Sequence, residues 1–186
     1  RLSILDLSVN GIQPMISASG NLILIYNGEI YNHLKLREKL KKENNYNYWK
    51  STSDTETLLQ AMEIWGINKT LKEIKGMFSF ALWDKEKRKL YLVRDPFGEK
   101  PLYYGWISKL NSFVFGSDLI FDKLFTNVNF DINPLALNDL FHLNYIDNNY
   151  TIFKNIKKID PGTFVEVNFK KYQTPQIFRK KYWDLD

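Results

Sequence analysis

The chain has 186 residues, with 44% hydrophobic and 25% charged residues, which suits a folded domain and argues against disorder. No apolar run approaches membrane-spanning length, and the longest, at residues 22–26 and 77–83, suit strands. Cysteine is absent, so these residues supply no disulfide framework, zinc ribbon or thiol nucleophile. Two histidines, His33 and His142, are too few for a His-rich metal site, and no metal is expected. The net charge of +5 is modest and scattered. The run 35–43 mixes Arg37, Lys39, Lys41 and Lys42 with Glu38 and Glu43, which reads as a solvated helix face and not as a nucleic-acid patch.

Along the chain, residues 1–8 alternate like a strand, with no signal-type leader ahead of them, so a cytoplasmic protein without nucleic-acid or membrane partners is expected. Residues 22–26 read as a strand, and a helix is predicted over 31–42 from Leu36 and Leu40. Residues 46–50 look like a short strand. Ser53-Asp54-Thr55-Glu56 is a capping-box pattern opening a helix, with Leu58, Leu59, Met62 and Trp65 on one stripe. Gly66 stops it, and Ile67, Leu71 and Ile74 continue as a second helix that closes at Gly76.

Residues 77–83 form the clearest strand, apolar or small on both faces and therefore covered on both. The charged stretch 84–89 turns the chain into an antiparallel partner at 90–93. Further strands are expected at 102–106 and 113–116. Pro134 opens a helix whose buried stripe is Leu137, Leu140 and Phe141. Pro161-Gly162 turns into a strand at 163–168, and the polar stretch 170–176 resembles a linker. Such strands with amphipathic helices imply an α+β fold of stacked sheets with helices outside.

Phosphate-cradling glycine loops and nucleophile elbows do not occur. Three polar clusters remain. In residues 26–32, Tyr-Asn-Gly-Glu-Ile-Tyr-Asn, the Asn-Gly pair is a hairpin signal, yet the segment after it reads as helix. The functional alternative is a side-chain amide and a backbone N–H poised for a developing oxyanion. In residues 53–56 a cap accounts for Ser53 and Glu56 but leaves the Asp54 carboxylate available for a substrate ammonium. Residues 94–101, Arg-Asp-Pro-Phe-Gly-Glu-Lys-Pro, read as a type I turn.

In order, the segments RLSILD at residue 1, QPM at 13, YNGEIYN at 26, SDTE at 53, GMFSFALWD at 76 and RDPFGEKPLYYG at 94 closely resemble the glutamine-hydrolysing domain of the asparagine synthetases, which are class II glutamine amidotransferases. The resemblance continues through 151–158, Asp160-Pro161-Gly162 and Tyr182-Trp183-Asp184. It implies a four-layer αββα sandwich like that of the N-terminal-nucleophile hydrolases. It also implies a reaction in which an amino-terminal cysteine attacks the glutamine carboxamide and releases ammonia. Position by position, Arg1 matches the partner of the glutamine α-carboxylate, and Asn27 and Gly28 match the oxyanion hole. Glu29 matches a glutamine contact, and Asp54 matches the carboxylate that holds the α-ammonium.

The expected ligand is L-glutamine. No cofactor is expected in residues 1–186, a single amidotransferase domain. ATP and Mg are expected in a synthetase domain toward which residues after about 170 lead, and that domain is the expected partner, with a homodimer as a further option. Because the chain opens at Arg1 without the family's cysteine segment, a fragment truncated at both ends and inactive alone is expected. Two alternatives stand beside this reading: a family member that amidates another carboxylate, as in polysaccharide or peptide tailoring, and a non-catalytic scaffold with a vestigial pocket.

Overall fold

The computed structural model describes residues 11–147, 150–169 and 174–185. The expected strand at residues 1–8, the site residue Arg1 and the beginning of the linker-like stretch lie outside the described residues. The chain divides into two compact units, one formed by residues 1–100 and 161–186, the other by residues 101–160.

The first unit is built on a six-stranded antiparallel sheet. Its strands are β1 (Met15–Ile16), β2 (Leu22–Ile30), β3 (Gly76–Asp84), β4 (Lys89–Arg94), β8 (Thr163–Asn168) and β9 (Gln176–Lys181), ordered in space as in sequence. The register aligns Tyr26 with Phe80, Phe80 with Val93 and Val93 with Phe164, so one apolar row crosses four strands. Residues paired across antiparallel strands point to the same face. On that face lie α1 (His33–Asn44) through Leu36, and α2 (Asp54–Glu73) through Leu58, Leu59, Met62 and Leu71. The opposite face of β3 and β4 is buried as well, at Ser79, Ala81 and Leu92. This meets the expectation of a strand covered on both sides.

The second unit carries a three-stranded sheet ordered β6 (Ser112–Gly116), β5 (Tyr103–Ile107), β7 (Ile156–Lys158), with α3 (Phe121–Leu124) and α4 (Pro134–Leu143). Ile107, Val114, Phe121, Phe153 and Ile156 form its core. Among the described residues no helix is long and apolar enough to cross a membrane.

Several sequence expectations need correction. The strand expected at 22–26 runs on to Ile30, carrying Asn27-Gly28 as paired strand residues and not as a turn. Residues 46–50 form a loop instead of a strand. The capping box is half made. Ser53 Oγ accepts from the Glu56 N–H, but the Glu56 carboxylate accepts from the Lys50 and Ser51 N–H groups instead of reaching back to Ser53. Gly66 does break the helix, with φ 74° between two helical stretches, while Gly76 begins β3 and does not close the second stretch. In α4, Leu137, Leu140 and Phe141 are exposed, and Ala136 is the buried residue. Helical spacing says which residues share a face, but not whether the protein covers it. Finally, β9 begins at Gln176, the last residue of the stretch 170–176 read as linker-like.

Loop 45–53 is held by one side chain. Arg37 of α1 donates to Thr57 Oγ1 (2.7 Å), Ser51 O (3.0 Å) and Ser53 O (2.8 Å), and its guanidinium lies 4.1 Å from the Trp49 ring centre. A partly buried guanidinium that satisfies two carbonyls is costly to remove, because they are left without donors. Arg37→Met is expected to lower unfolding free energy by about 3 kcal/mol in urea titrations, with Arg37→Lys recovering little of it because an ammonium lacks the planar fork.

Candidate active site

Strand β2 positions the candidate residues. Phe78 O accepts from the Asp95 N–H at 2.8 Å, on the β4 side of β3. In an antiparallel strand a residue's N–H and C=O point the same way, so the Gly28–Phe78 pair is a non-hydrogen-bonded one. The backbone polar groups of Tyr26, Gly28 and Ile30 therefore point off the other edge of β2. Two of the three N–H groups meet side chains there. Tyr26 N–H donates to Gln13 Oε1 (2.7 Å), and Ile30 N–H donates to Asp54 Oδ2 (2.8 Å). The Gly28 N–H lies between them on that edge.

Gly28 has no substitute at its position. A Cβ there would stand 2.1 Å from Met77 O and 2.7 Å from Phe78 Cα, and its φ is +152°. Non-hydrogen-bonded pairs bring the two Cα atoms closest, which is where a missing side chain matters most.

Asp54 is the first residue of α2 and is 5% exposed. Its Oδ2 accepts from Ile30 N–H and from the Tyr26 phenol, both at 2.8 Å. The carboxylate thus spans residues 26 and 30, on either side of Gly28. A buried carboxylate needs such donors, because an unpaired one would not remain charged away from water. Burial first, then the charge of Asp54 and the hydrogen bond to it, push the Tyr26 phenol far above the ordinary range. That phenol stays protonated and keeps donating.

The other side chains divide. Alternation along β2 puts Asn27 and Glu29 on the face opposite Tyr26 and Ile30, with Asn27 in a row with Ser79 and Arg94. The structure thus brings Gly28 and Asp54 to one strand edge and sends the Asn27 and Glu29 side chains to the other sheet face. Glu29 is still in electrostatic reach, since it acts together with Asp54 on both Tyr26 and His33.

Residues 94–100 are more ordered than a simple turn. Asp95, fully buried, accepts from the N–H groups of Phe97, Glu99 and Lys100 at 2.9–3.0 Å. Arg94 donates to Gly98 O and Lys100 O. Glu99 is thereby held where its charge, with those of Glu29 and Asp95, adds to partial desolvation in pushing the Tyr31 phenol up.

Sequence reasoning left three participants without a role: Gln13, Tyr26 and His33. Tyr26 stood inside a quoted motif, but nothing local ties a strand tyrosine to an aspartate 28 positions on. His33 opens α1 with its Nδ1 buried and without a hydrogen-bond partner. Desolvation pushes its pKa down, Asp54 pushes back up, and Arg37 adds to the lowering.

Comparison with known proteins places this geometry in a class. The glutamine amidotransferase domain model matches residues 1–183, and the chain belongs to that family. Among curated proteins it is 36% identical to asparagine synthetase (glutamine-hydrolyzing) 2 of Bacillus subtilis across the whole chain, which spans 24% of that relative. It is 33% identical to a putative asparagine synthetase (glutamine-hydrolyzing) 2 of Methanocaldococcus jannaschii, again across the whole chain and 37% of the relative. Among solved structures, the glutamine phosphoribosylpyrophosphate amidotransferase of Bacillus subtilis shares the fold, with a TM-score of 0.63 at 17% identity over 96% of this chain and 33% of that one. The α+β fold expected from the motif series is the amidotransferase fold.

Two outcomes follow from this geometry. Gly28→Ala should destabilise the chain by about 3 kcal/mol in denaturant melts, because the new methyl meets backbone and not a movable side chain. His33 should titrate by NMR with a midpoint below the ordinary 6.5, and Asp54→Asn should move it lower still by removing the charge that raises it. With a depressed folded pKa, the stability His33 contributes is present above pH 6.5 and is lost as pH falls.

Proposed function

We propose that this domain hydrolyses glutamine to glutamate and ammonia, and that the ammonia serves ATP-dependent amidation of aspartate in a synthetase portion. The observation that carries this reading is the edge of β2. There the Gly28 N–H, in a strand position that admits no Cβ, stands beside the Asp54 carboxylate. An amide hydrolase acting on a free amino acid needs both elements, a fixed N–H for the oxyanion and an anion for the α-ammonium.

In this reading the Gly28 N–H and the Asn27 side-chain amide stabilise the oxyanion, and Asp54 holds the α-ammonium. Glu29 contacts glutamine, and Arg1 pairs with the α-carboxylate, a task suited to its planar fork. The ammonium would approach Asp54 through Oδ1, since both protein donors fall on Oδ2. The 186 residues contain no cysteine, so the reading takes the attacking thiol from an amino-terminal segment ahead of Arg1. The proposed attack forms a thioester and releases ammonia, and water then releases glutamate and restores the thiol. ATP and Mg enter only in the synthetase portion, so this domain needs no cofactor of its own. The match to relatives named as asparagine synthetases favours aspartate as the ammonia acceptor over other carboxylates.

The test uses a protein carrying an amino-terminal cysteine segment ahead of these residues, alongside the 186-residue chain. The cysteine-free chain should release no glutamate from glutamine. In the cysteine-bearing protein, Asn27→Ala should lower kcat by roughly a hundredfold to a thousandfold, the usual loss for one oxyanion donor. Asp54→Asn keeps an acceptor for the Ile30 N–H but loses the charge, so it should mainly raise KM. The ammonium it holds carries the same charge in ground and transition states. Turnover by the cysteine-free chain, or an unchanged kcat in Asn27→Ala, would overturn these roles.

A further inference from the structure

Strand β9 ends the six-stranded sheet on the side away from β1, and all six of its residues are exposed. The register fixes what its outer edge presents. The Tyr182 N–H donates to Gly162 O at 2.8 Å, toward β8, and two residues back along β9 Lys180 pairs with Phe164. Direction alternates along a strand, so the backbone groups of Lys180 and Phe178 face β8, while those of Ile177 and Lys181 point off the sheet. An edge of this kind is a template for a further strand. Its apolar side chains are open too, with Ile177 42% and Phe178 53% exposed.

Beside this edge lies an open groove of about 350 Å³, on the sheet face that carries α2. Phe178 and Lys180 line it together with Phe164 and Glu166 of β8 and Ile67 and Asn68 of α2. Its two charges are not equivalent. Glu166 is paired with Lys89 at 2.6 Å. Lys180 reaches Asn68 Oδ1 only at 3.4 Å, lies 6.0 Å from the Phe164 ring centre, and has no carboxylate partner among the described residues. A lysine on an edge strand ordinarily turns other strands away. The exception is a strand that sets a carboxylate opposite it. A second copy of β9 brings none, since its sequence is Gln-Ile-Phe-Arg-Lys-Lys.

We infer that β9 is a docking edge for an extended acidic segment of a partner protein, which joins the sheet as a further antiparallel strand. Main-chain hydrogen bonds run to Ile177 and Lys181, and the side chains of the added strand set the specificity. A Glu or Asp lies opposite Lys180. Two positions on, in the antiparallel sense, a large apolar side chain lies opposite Phe178 and covers its exposed ring. The recognised pattern is therefore acid, any residue, large apolar. This goes beyond the glutaminase reading and does not depend on it, because β2 and β9 are separated in the sheet by β3, β4 and β8.

The test is NMR titration of the 186-residue chain with the blocked peptide acetyl-Thr-Glu-Val-Leu-Thr-Val-amide. Saturable binding is expected at peptide concentrations up to about 1 mM, with shifts and slowed hydrogen exchange at the Ile177 and Lys181 amides. Replacing the peptide's Glu by Lys should weaken binding about fivefold to tenfold, the swing from an attractive to a repulsive exposed pair. Lys180→Glu, a surface change, should reverse that preference and favour the Lys peptide. A peptide N-methylated at the residues that face Ile177 and Lys181 should not bind. No saturable binding, a preference that Lys180→Glu leaves unchanged, or equal binding of the N-methylated peptide would overturn the inference. So would concentration-dependent shifts at Ile177 and Lys181 without peptide, which would assign the edge to a second copy of the chain.

Discussion

A single buried carboxylate couples the helical layer to the strand that carries the candidate chemistry. Asp54 Oδ2 takes the Ile30 N–H and the Tyr26 phenol together, fixing the first turn of α2 against the outer edge of β2. Without it, an N–H and a phenol would be left buried and unpaired, at a cost of about 1–3 kcal/mol each. The opposite edge of β2 is set independently, by pairing along its full length with β3. A strand held on one edge by a sheet and on the other by a helix cannot rotate about its axis. The direction of the Gly28 N–H is thus fixed by groups two residues away on either side.

The candidate edge is also supported from the far side of β3. Asp95, immediately after β4, donates its N–H to Phe78 O, and its carboxylate gathers three N–H groups of the following loop. Its own carbonyl accepts from the Gly98 and Gly162 N–H groups, and the Tyr182 phenol donates to Arg94 O. The segment that reads as an ordinary type I turn is therefore a junction joining β3, β4 and the chain leading into β8. Local bonds shape the loop, but its partners Phe78, Gly162 and Tyr182 are far apart in sequence, which turn propensities do not describe.

What could be read from sequence was punctuation. The break at Gly66, the hairpin between β3 and β4 and the turn at Pro161-Gly162 follow from local rules and stand in the structure. The passage of β2 through Asn27-Gly28 was not legible, because the local rule for Asn-Gly is a turn and the overriding partner, β3, lies about 50 residues on. Residues 46–50 alternate like a strand, yet Tyr48 is 81% exposed and Trp49 is taken by Arg37. Asn27, Gly28, Glu29 and Asp54 were singled out as candidates by the wording of their motifs. Tyr26 and Gln13, which hold the same edge, could be found only from the fold.

The electrostatics around Asp54 bear on what the edge of β2 can bind. Tyr26 is kept protonated by burial and by Asp54 itself, so it shares a proton with the carboxylate without adding charge. His33 is pushed toward its neutral form by desolvation, which outweighs the pull of Asp54 and Glu29. Arg37, a fixed cation, is turned to the carbonyls of Ser51 and Ser53 and sits 3.8 Å from Glu56. The Asp54 hydrogen bonds thus come from neutral donors, while the Arg37 guanidinium acts on it through space and spends its own hydrogen bonds on the loop. A carboxylate so placed has its desolvation met by hydrogen bonds on Oδ2, and no protein hydrogen bond to Oδ1 is seen among the described residues. A carboxylate oxygen left open favours a cationic group over a neutral one of the same size. Under the glutaminase reading, that open oxygen is where the α-ammonium of the substrate would dock.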